Sequence, residues 1–381
     1  MPSLPIPSPE AAAHSQRLQQ TLHEAIATQQ GWISFARYME IALYSPGLGY
    51  YAAGASKFGA SGDFTTAPEH SHLFGRSLAR QIAQILAETG GEILEVGAGS
   101  GKLACDVLLE LQNLDALPDR YYILELSATL QTRQRETITE QAPQWLKRVQ
   151  WLDRLPQTFT GVIFGNEVLD AMPVHLVTRS HGVLCERGVA LNAEQLAWVD
   201  RPMEYGALLA AATALDLPEG YVTEINLAAP AFIASLADCL TRGVLLFIDY
   251  GFPRAEYYHP QRNQGTLMCH YRHHAHGDPF FWPGLQDITA HVDFSTLATN
   301  TPDLQLLGYA TQANFLINCG ITDLLAETSP ENVTQYLPLA NQVQYLLSPA
   351  EMGELFKVIA LGKGLQMPLL GFARGDQRHR L

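Results

Sequence analysis

A glycine-rich stretch, Glu92–Lys102 (EILEVGAGSGK), contains the residue types and spacing that point most directly to ligand binding. Its last residues, Gly-Ser-Gly-Lys, are similar to a phosphate-binding loop. The Walker pattern G-x-x-x-x-G-K-[ST] needs a hydroxyl group after its lysine, because that hydroxyl holds the magnesium ion. Counted back from Gly101, the first glycine of the pattern should stand at Val96, and Leu103 occupies the hydroxyl position. Both mismatches fall on positions that the chemistry needs, so the stretch does not favour a nucleoside triphosphate.

A dinucleotide is the second candidate ligand. The fingerprint G-x-G-x-x-G/A fits Gly97 and Gly99, but it places Lys102 where the third glycine packs the helix against the sheet. Gly101 comes one position too early for that role. An NAD(P)-dependent oxidoreductase is therefore disfavoured, although the spacing alone does not exclude it.

The third candidate is a ligand without phosphate. The pattern E-x-G-x-G-x-G, formed by Glu95, Gly97, Gly99 and Gly101, resembles the signature of class I S-adenosylmethionine (SAM) methyltransferases. Glycines let the backbone approach a ligand closely. We therefore expect this loop, including Ala98, to contact the amino-acid part of SAM, with the carboxylate of Glu95 near its cationic ammonium group.

Acidic residues lie at the ends of the next two predicted strands. Glu125 lies 24 residues beyond Gly101, where a carboxylate can accept hydrogen bonds from both hydroxyls of a ribose. Asp153 follows the third strand and is placed to accept from the adenine amino group. Leu126, beside Glu125, is predicted to contact the cofactor as well. The alternative for each acid is a solvated turn.

Three polar residues follow the fourth predicted strand: Asn166, Glu167 and Asp170. In a doubly wound sheet the ligand lies at the carboxyl ends of the strands, so these side chains should reach the site. Glu167 and Asp170 are three positions apart, and a helical turn would place both on one face. The alternative is helix capping, with Asn166 at the N-cap and the acids in the first turn.

The surrounding elements predict an α/β fold. Short apolar runs alternate with helical material such as Leu103–Leu111 and Ala231–Leu240, and this alternation is typical of a parallel sheet covered on both faces. A Gly-containing link joins Phe356–Leu361 to Leu369–Ala373, which predicts a C-terminal antiparallel pair. The predicted parallel strands are Ile93–Val96, Tyr121–Leu126, Val149–Leu152, Gly161–Gly165 and Val244–Ile248.

The domain boundaries follow from these patterns. Residues 1–90 should form an N-terminal helical region, and residues 91–373 one large α/β domain, with insertions at about 174–230 and 251–350. Four prolines predict a loose leader over residues 1–14. Short alternating pieces within Val174–Asp200 predict a small antiparallel insertion. The predicted N-terminal helices are Ser15–Gln30, Phe35–Leu43 and His72–Glu88.

Bulk properties exclude several classes of protein. The 381 residues carry a net charge of −14, whereas a nucleic-acid binder needs a basic surface. No apolar run reaches the roughly 18 residues of a membrane span. The first 30 residues fit neither a secretory signal nor a transit peptide, which predicts a cytoplasmic protein. The five cysteines lack a C-x-x-C pair and are expected to be free thiols. A homodimer is compatible with the sequence.

Six further motifs together resemble the MidA family of SAM-dependent methyltransferases, and the resemblance runs from about Ile33 to Gly364. It implies a class I methyltransferase fold with SAM as cofactor. Mitochondrial members of this family are protein arginine methyltransferases that assist assembly of respiratory complex I. Without a transit peptide, this chain resembles a bacterial member. The motifs are GDFTTAPE from Gly62, GNEVLDAMPV from Gly165, FIDYG from Phe247, CHYRHHAHGDP from Cys269, DITAHVDF from Asp287 and LSPAEMGELFKV from Leu347.

Carboxylate chemistry predicts roles for four acidic residues, and the resemblance implies a role for one further segment. Glu167 and Asp170 should hold the plane of a substrate arginine, with Asp249 or Glu69 as helpers, because carboxylates form bidentate hydrogen bonds with a guanidinium group. A segment beside SAM is expected to cover its methionine end. That segment comprises Gly62, Asp63, Phe64, Thr65 and Thr66.

A histidine-rich segment, His270–His276, raises the question of a metal site. No cysteine stands at metal-ligand spacing, although Asp278 could join, and the family has no known metal requirement, so no metal is predicted. Contacts to the substrate peptide from Arg272, His273 and His276 are the functional interpretation, and a structural role of the loop is equally compatible. The same two interpretations apply to His291.

Overall fold

The computed structural model of the chain describes residues 4–53, 66–299 and 303–381. None of the helices in these ranges is both long and apolar enough to cross a bilayer. The helices are α1 (Pro9–Thr28), α2 (Phe35–Tyr44), α3 (Ala67–His70), α4 (His72–Thr89), α5 (Lys102–Asn113), α6 (Ala128–Gln141), α7 (Ala207–Thr213), α8 (Ala228–Cys239), α9 (Arg254–Tyr257), α10 (Phe294–Thr299), α11 (Gln312–Asn318), α12 (Ile321–Ala326), α13 (Val333–Leu347) and α14 (Met352–Leu355). The strands are β1 (Ile33–Ser34), β2 (Glu92–Val96), β3 (Tyr121–Leu124), β4 (Val149–Leu152), β5 (Phe159–Asn166), β6 (His175–Ser180), β7 (Val183–Asn192), β8 (Gln195–Pro202), β9 (Val222–Ile225), β10 (Leu240–Phe252), β11 (Met268–Tyr271), β12 (His274–His276), β13 (Asp287–Thr289), β14 (Val292–Asp293), β15 (Gln305–Thr311) and β16 (Phe356–Lys363).

The chain divides into two compact units, and each is assembled from three separate stretches of sequence. Unit 1 comprises Met1–Phe64, Leu169–Ala231 and Arg254–Asp293. The division therefore follows contacts in space rather than chain order. Unit 2 comprises Thr65–Val168, Phe232–Pro253 and Phe294–Leu381.

Unit 2 contains the sheet that the alternating sequence pattern predicts. Within its described residues, seven strands lie in the order β15-β16-β10-β5-β2-β3-β4. Strands β10, β5, β2, β3 and β4 are mutually parallel, whereas β16 is antiparallel to both of its neighbours. The predicted α/β fold, with a mostly parallel sheet and a C-terminal antiparallel strand, is confirmed. Interior residues such as Leu94 and Ile163 are fully buried, as expected for strands covered on both faces.

The parallel strands of this sheet end in register. Val96 pairs with both Leu124 and Gly165, Leu124 pairs with Leu152, and Gly165 pairs with Phe247. The residues that follow these positions therefore emerge at one edge. Chain order reverses between β2 and β5, and open α/β sheets bind ligands at the carboxyl ends of their strands at such a reversal.

Unit 1 is built on antiparallel strands. Strands β1-β7-β6-β9 form one sheet, with β8 also paired to β7, and β12-β11-β13 form another. The small antiparallel insertion predicted within Val174–Asp200 is confirmed by the pairing of β6, β7 and β8. Aromatic rings hold its core together: Phe35 lies 5.2 Å from Trp198, and Tyr38 lies 5.3 Å from Phe280, between ring centroids.

The prediction of a loose leader over residues 1–14 is wrong from residue 9 onward. Helix α1 begins at Pro9, and the hydroxyl of Ser8 accepts a hydrogen bond from the backbone N–H of Ala11 at 3.3 Å. Proline is well tolerated at the first helical position, because its missing N–H would have no intrahelical partner there. The fourth proline therefore starts the helix.

The predicted pairing of Phe356–Leu361 with Leu369–Ala373 is also wrong. Strand β16 pairs with β10 on one side and with β15 on the other, where Tyr309 lies opposite Ile359. A 3-10 helix spans Leu370–Phe372 instead of a strand. The partner of β16 thus comes from a segment about 50 residues earlier, which short-range turn signals do not reveal.

Candidate active site

The glycine loop lies between β2 and α5, and its backbone conformation requires glycine. Gly97, Gly99 and Gly101 have φ angles of +65°, +54° and +86°, in the left-handed region. A Cβ atom on Gly101 would lie 3.0 Å from the Cα of Gln134, and one on Gly97 would lie 3.3 Å from the Val168 side chain. The loop therefore presents bare backbone at the edge of the sheet, which fits close approach of a ligand without side-chain interference.

Glu95 precedes this loop and faces the protein interior. Only 2% of the residue is exposed, and its carboxyl group accepts a hydrogen bond from the hydroxyl of Tyr121 at 2.6 Å. Burial raises the pKa of Glu95 to about 8, and the negative charge of Glu125 adds to the shift. At neutral pH the carboxyl group is mostly protonated. The contact of Glu95 with a cofactor ammonium group stays a prediction.

Glu125 follows β3, and its carboxylate is held by two donors. The backbone N–H of Ser127 lies 2.9 Å from its Oε1, and the side-chain amide of Gln134 lies 3.1 Å from its Oε2. Burial raises the pKa of Glu125, while these hydrogen bonds oppose the shift. Leu126, the next residue, is 80% exposed at the same strand end. Asp153 follows β4 with an exposed side chain, 3.9 Å from Arg154.

Asn166 ends β5, and Glu167 begins the segment that follows, which is not helical. Glu167 has a φ of +54°, so the predicted helical turn over residues 167–170 and the predicted helix cap at Asn166 are both wrong. The side-chain amide of Asn166 donates to Glu167 Oε1 at 2.9 Å. Its Oδ1 is buried and has no hydrogen-bond partner in the described part of the chain. The backbone N–H of Glu167 donates to the carbonyl of Ile248 at 2.9 Å.

Asp249, near the end of β10, is fully buried and supports the same turn. Its Oδ2 accepts from the backbone N–H of Val168 at 3.1 Å, and its Oδ1 accepts from the backbone N–H of Tyr250 at 2.9 Å. Both carboxylate oxygens thus bind main chain. In this arrangement Asp249 fixes the backbone beside Glu167.

Glu69 lies in α3 and connects this helix to the glycine loop. The hydroxyl of Ser100 donates to its carboxylate in a short hydrogen bond. The ring of the next residue, His70, packs against Tyr345 of α13 in a tilted arrangement, with centroids 4.4 Å apart. Thr66 stands at the N-cap of α3. The predicted cofactor residues Gly62, Asp63, Phe64 and Thr65 lie outside the described residues.

The remaining predicted residues belong to unit 1. Asp170 is 5% exposed, and its backbone carbonyl accepts from Ala290 at 3.0 Å. Arg272 and His273 form the turn between β11 and β12, with φ angles of +45° and +61°. Arg272 Nη1 lies 3.4 Å from the carbonyl of Ile6.

His276 and His291 also have roles within unit 1. Nδ1 of His276 accepts from the backbone N–H of Asp278 at 3.3 Å, and burial lowers the pKa of His276. The backbone N–H of His291 donates to Thr266 at 3.0 Å. In the ranges that the structure describes, no group of three or more His, Cys, Asp or Glu residues is arranged to hold a metal ion.

Sequence reasoning missed Gln134, Tyr121 and Ser100, which contact predicted site residues directly, and Trp151, which contacts Gln134. Trp151 donates its indole N–H to Gln134 Oε1 at 2.9 Å, and Gln134 in turn donates to Glu125. Helix α6 is polar along its length, and Gln134 is one of several glutamines in it. Nothing in that local pattern distinguishes the buried glutamine from the exposed ones.

Known proteins are similar to this chain over most of its length. The protein arginine methyltransferase NDUFAF7 of Danio rerio mitochondria is 28% identical, with 90% of this chain and 89% of that protein covered. The Homo sapiens protein of the same name is 29% identical, with 87% and 80% covered. A crystal structure from Burkholderia thailandensis, bound to S-adenosyl-homocysteine, is 53% identical and superposes with a TM-score of 0.97 over 100% of both chains.

These similarities agree with the bare glycine loop and the polar strand ends, and they decide between the candidate ligands. The cofactor is SAM, and the protein is not a dinucleotide-dependent oxidoreductase. A family model for S-adenosyl-L-methionine-dependent methyltransferases matches residues 77–310, more than half of the chain. The chain therefore belongs to this family of SAM-dependent methyltransferases, of the MidA type that its motifs resemble.

Proposed function

We propose that this methyltransferase methylates a nitrogen of an arginine side chain in a protein, and that the protein is a subunit of a respiratory complex I-type assembly. The names of the relatives from Danio rerio and Homo sapiens support the arginine, at 28% and 29% identity. The resemblance to the MidA family supports the partner. The geometry of Glu167 in this chain supports a cationic acceptor.

Glu167 is the residue on which the proposal rests. A non-glycine residue with φ of +54° costs about 1 kcal/mol or more, and such conformations cluster at functional sites. Here the conformation is held by the Ile248 carbonyl, and Asp249 fixes the next peptide N–H. The strained turn presents a carboxylate at the strand end that follows the sheet reversal. A structural role alone would be filled better by glycine.

A carboxylate at this place suits the chemistry of arginine. A guanidinium group is a poor nucleophile because its charge is delocalised and its pKa lies above about 12. Bidentate hydrogen bonds to a carboxylate fix the plane of the group and draw positive charge away from the reacting nitrogen. SAM supplies the methyl group on a sulfonium, and a nitrogen held in line with it gains rate from orientation. As the N–C bond forms, the C–S bond breaks and S-adenosyl-homocysteine leaves as a neutral thioether, while the proton displaced from nitrogen goes to solvent.

An aromatic residue of unit 2 also favours a cation. Tyr345 keeps 37% of its surface exposed while its ring packs at a tilt against His70. The negative charges of Glu351 and Glu167 add to the effect of burial in raising the pKa of Tyr345. Burial lowers the pKa of His70, so the imidazole beside the ring is neutral at neutral pH. An exposed tyrosine face near carboxylates is a favourable environment for a guanidinium group.

We assign the other predicted residues on the same basis. Asp170 is a proposed second carboxylate for the acceptor, Asp249 supports Glu167, and Glu69 holds the glycine loop through Ser100. The proposed protein-substrate contacts are Glu69, Arg272, His273, His276 and His291. The proposed cofactor contacts are Gly62, Asp63, Phe64, Thr65, Thr66, Glu95, Gly97, Ala98, Gly99, Gly101, Glu125, Leu126, Asp153, Asn166 and Glu167.

The test is to identify the methylated atom. The purified chain is incubated with methyl-labelled SAM and a preparation of complex I subunits, and the labelled protein is hydrolysed to amino acids. The label should appear in methylarginine and be lost with Glu167→Gln. Label in another amino acid would contradict the arginine proposal and leave the methyltransferase assignment intact. A non-catalytic assembly role predicts no label in any protein.

A further inference from the structure

We propose that Gln134 is a positioning residue for the cofactor, which orients the Glu125 carboxylate toward the ribose and ties it to the glycine loop. The inference rests on the proposed role of Glu125 as the ribose acceptor. It does not depend on which residue of a protein receives the methyl group.

The amide group of Gln134 joins two parts of the site. Its Nε2 lies 3.1 Å from the carbonyl oxygen of Gly99 and 3.1 Å from Glu125 Oε2. A side-chain amide carries two N–H donors, so both are used. Gln134 is fully buried, and its backbone packs close to Gly101. The residue therefore connects the carbonyl of the loop after β2 with the carboxylate after β3.

The orientation of this amide is fixed by chemistry. The indole N–H of Trp151 donates to Gln134 Oε1 at 2.9 Å, and an indole nitrogen can only donate. Gly99 and Glu125 offer only acceptors at the other side. A flipped amide would therefore place NH₂ against N–H and an oxygen against two oxygens. The guanidinium of Arg135 covers the Trp151 ring at 3.7 Å and helps to keep the indole in place.

Glu125 is thereby held in one orientation. Oε1 accepts from the backbone N–H of Ser127, and Oε2 accepts from Gln134. A carboxylate has about four lone-pair sites, so acceptor capacity remains beside these bonds and the backbone N–H of Leu126. A ribose hydroxyl is a matching donor for that capacity. Without Gln134, the carboxylate would lose the donor that sets its rotation.

The substitution Gln134→Met keeps the size of the side chain and removes its hydrogen bonds. The chain offers a matched control in the same helix. Gln131 donates to the backbone carbonyl of Glu125 at 2.8 Å, and this hydrogen bond does not involve the Glu125 carboxylate. Gln131→Met should therefore disturb the helix to a similar degree without releasing the carboxylate. Trp151→Phe, which removes the N–H that orients the amide together with part of the indole ring, provides a second variant.

The experiment compares S-adenosyl-homocysteine with its 2′-deoxy analogue by titration calorimetry on the full chain. In the natural protein the deoxy analogue should bind about tenfold or more weakly, since it lacks one hydrogen bond to a charged group. Gln134→Met should weaken S-adenosyl-homocysteine binding about tenfold and reduce the deoxy discrimination to about threefold or less. Trp151→Phe should give an intermediate ratio, and Gln131→Met the natural one.

Equal loss of affinity for both ligands in Gln134→Met, with the ratio unchanged, would show a merely structural role and overturn the inference. An unchanged affinity would do the same. If the Met variant does not fold, an unaltered ratio in Trp151→Phe overturns it. Absence of discrimination in the natural protein would remove the proposed role of Glu125. None of these readouts involves methyl transfer, so their outcome neither supports nor contradicts the proposal of arginine methylation.

Discussion

The hydroxyl of Tyr121 donates a 2.6 Å hydrogen bond to the carboxyl group of Glu95, and both side chains are buried between β2, β3 and the helix that follows the glycine loop. A buried carboxyl group such as that of Glu95 prefers to stay neutral, because a charge in the interior loses its hydration. The pH dependence of the free energy of unfolding should therefore reflect the titration of Glu95.

Glu95→Gln should flatten that dependence. The pKa of Glu95 rises from 4.5 to about 8 on folding, so the folded state binds the extra proton between these values. Stability is then fully present below about pH 4.5 and is lost as the pH rises through 8. Between pH 5 and pH 9, the free energy of unfolding of the natural protein should fall by on the order of 2–4 kcal/mol relative to that of the Gln variant. Urea unfolding at pH 5, 7 and 9 measures the difference, and parallel profiles for the two proteins would contradict it.

Glu167 should show a conflict between activity and stability. Glu167→Gln is expected to lower kcat about 10²-fold or more, because it removes charge that acts on the acceptor. The dissociation constant for SAM should stay within about threefold, because the amide keeps an oxygen for the proposed cofactor contact. Asp170→Asn in the same assay tests the second proposed carboxylate. Turnover is measured with labelled SAM, and an unchanged kcat in Glu167→Gln would remove its catalytic role.

Glu167→Gly is expected to raise the free energy of unfolding by about 1 kcal/mol, because glycine adopts a φ of +54° without strain. The backbone hydrogen bond to Ile248 is retained in this variant. Activity should be lost together with the carboxylate. A variant that is more stable but inactive would show that the fold does not need the strain at residue 167. A less stable variant would show that the Glu167 side chain supports the turn.

Asp249→Asn should act mainly on the turn. An amide at this position can accept only through its oxygen, so either Val168 or Tyr250 faces an N–H group instead of an acceptor. A buried unsatisfied donor costs about 1–3 kcal/mol, and chemical denaturation should show a loss of that size. Glu167→Gln should not show it. If Asp249→Asn and the natural protein are equally stable, the Asp249 carboxylate acts directly in the reaction instead of supporting the turn.

Tyr345→Leu should raise the KM for the protein substrate about tenfold, since a partly desolvated cation–π contact contributes about 1–2 kcal/mol. SAM binding should be unchanged, and Tyr345→Phe should retain most of the affinity because it keeps the ring. Tyr336→Leu, two and a half turns earlier in α13, provides the control. Identical KM values for the two Leu variants would exclude a specific role of Tyr345.

Local sequence patterns predicted the parallel strands well. Val149–Leu152 has the predicted bounds, and Asp153 follows it as expected. The strand from Tyr121 ends at Leu124, two residues earlier than predicted, so Glu125 follows it. Such runs are decided by burial on both faces, which acts residue by residue. The glycine spacing indicated the ligand class because each positive φ angle favours glycine at one position of the sequence.

The features that the sequence did not reveal depend on contacts between distant segments. The left-handed turn at Glu167 is stabilised by Ile248 and Asp249, about 80 positions away, and local propensity favours a helical start there. Gln134 is distinguished only by its partners. The histidines of the 270–276 segment belong to a hairpin whose pairing also involves β13.

The three-segment composition of unit 1 has a consequence for how the protein is made. Its first strand pairs Ile33 with Val189, so the N-terminal segment has no sheet partner until about half of the polypeptide has left the ribosome. At about 5–20 residues per second, that interval lasts on the order of ten seconds or more. During synthesis the amphipathic first helices are thus exposed to chaperones, and trimming the gene from either end cannot release this unit as an independent fragment.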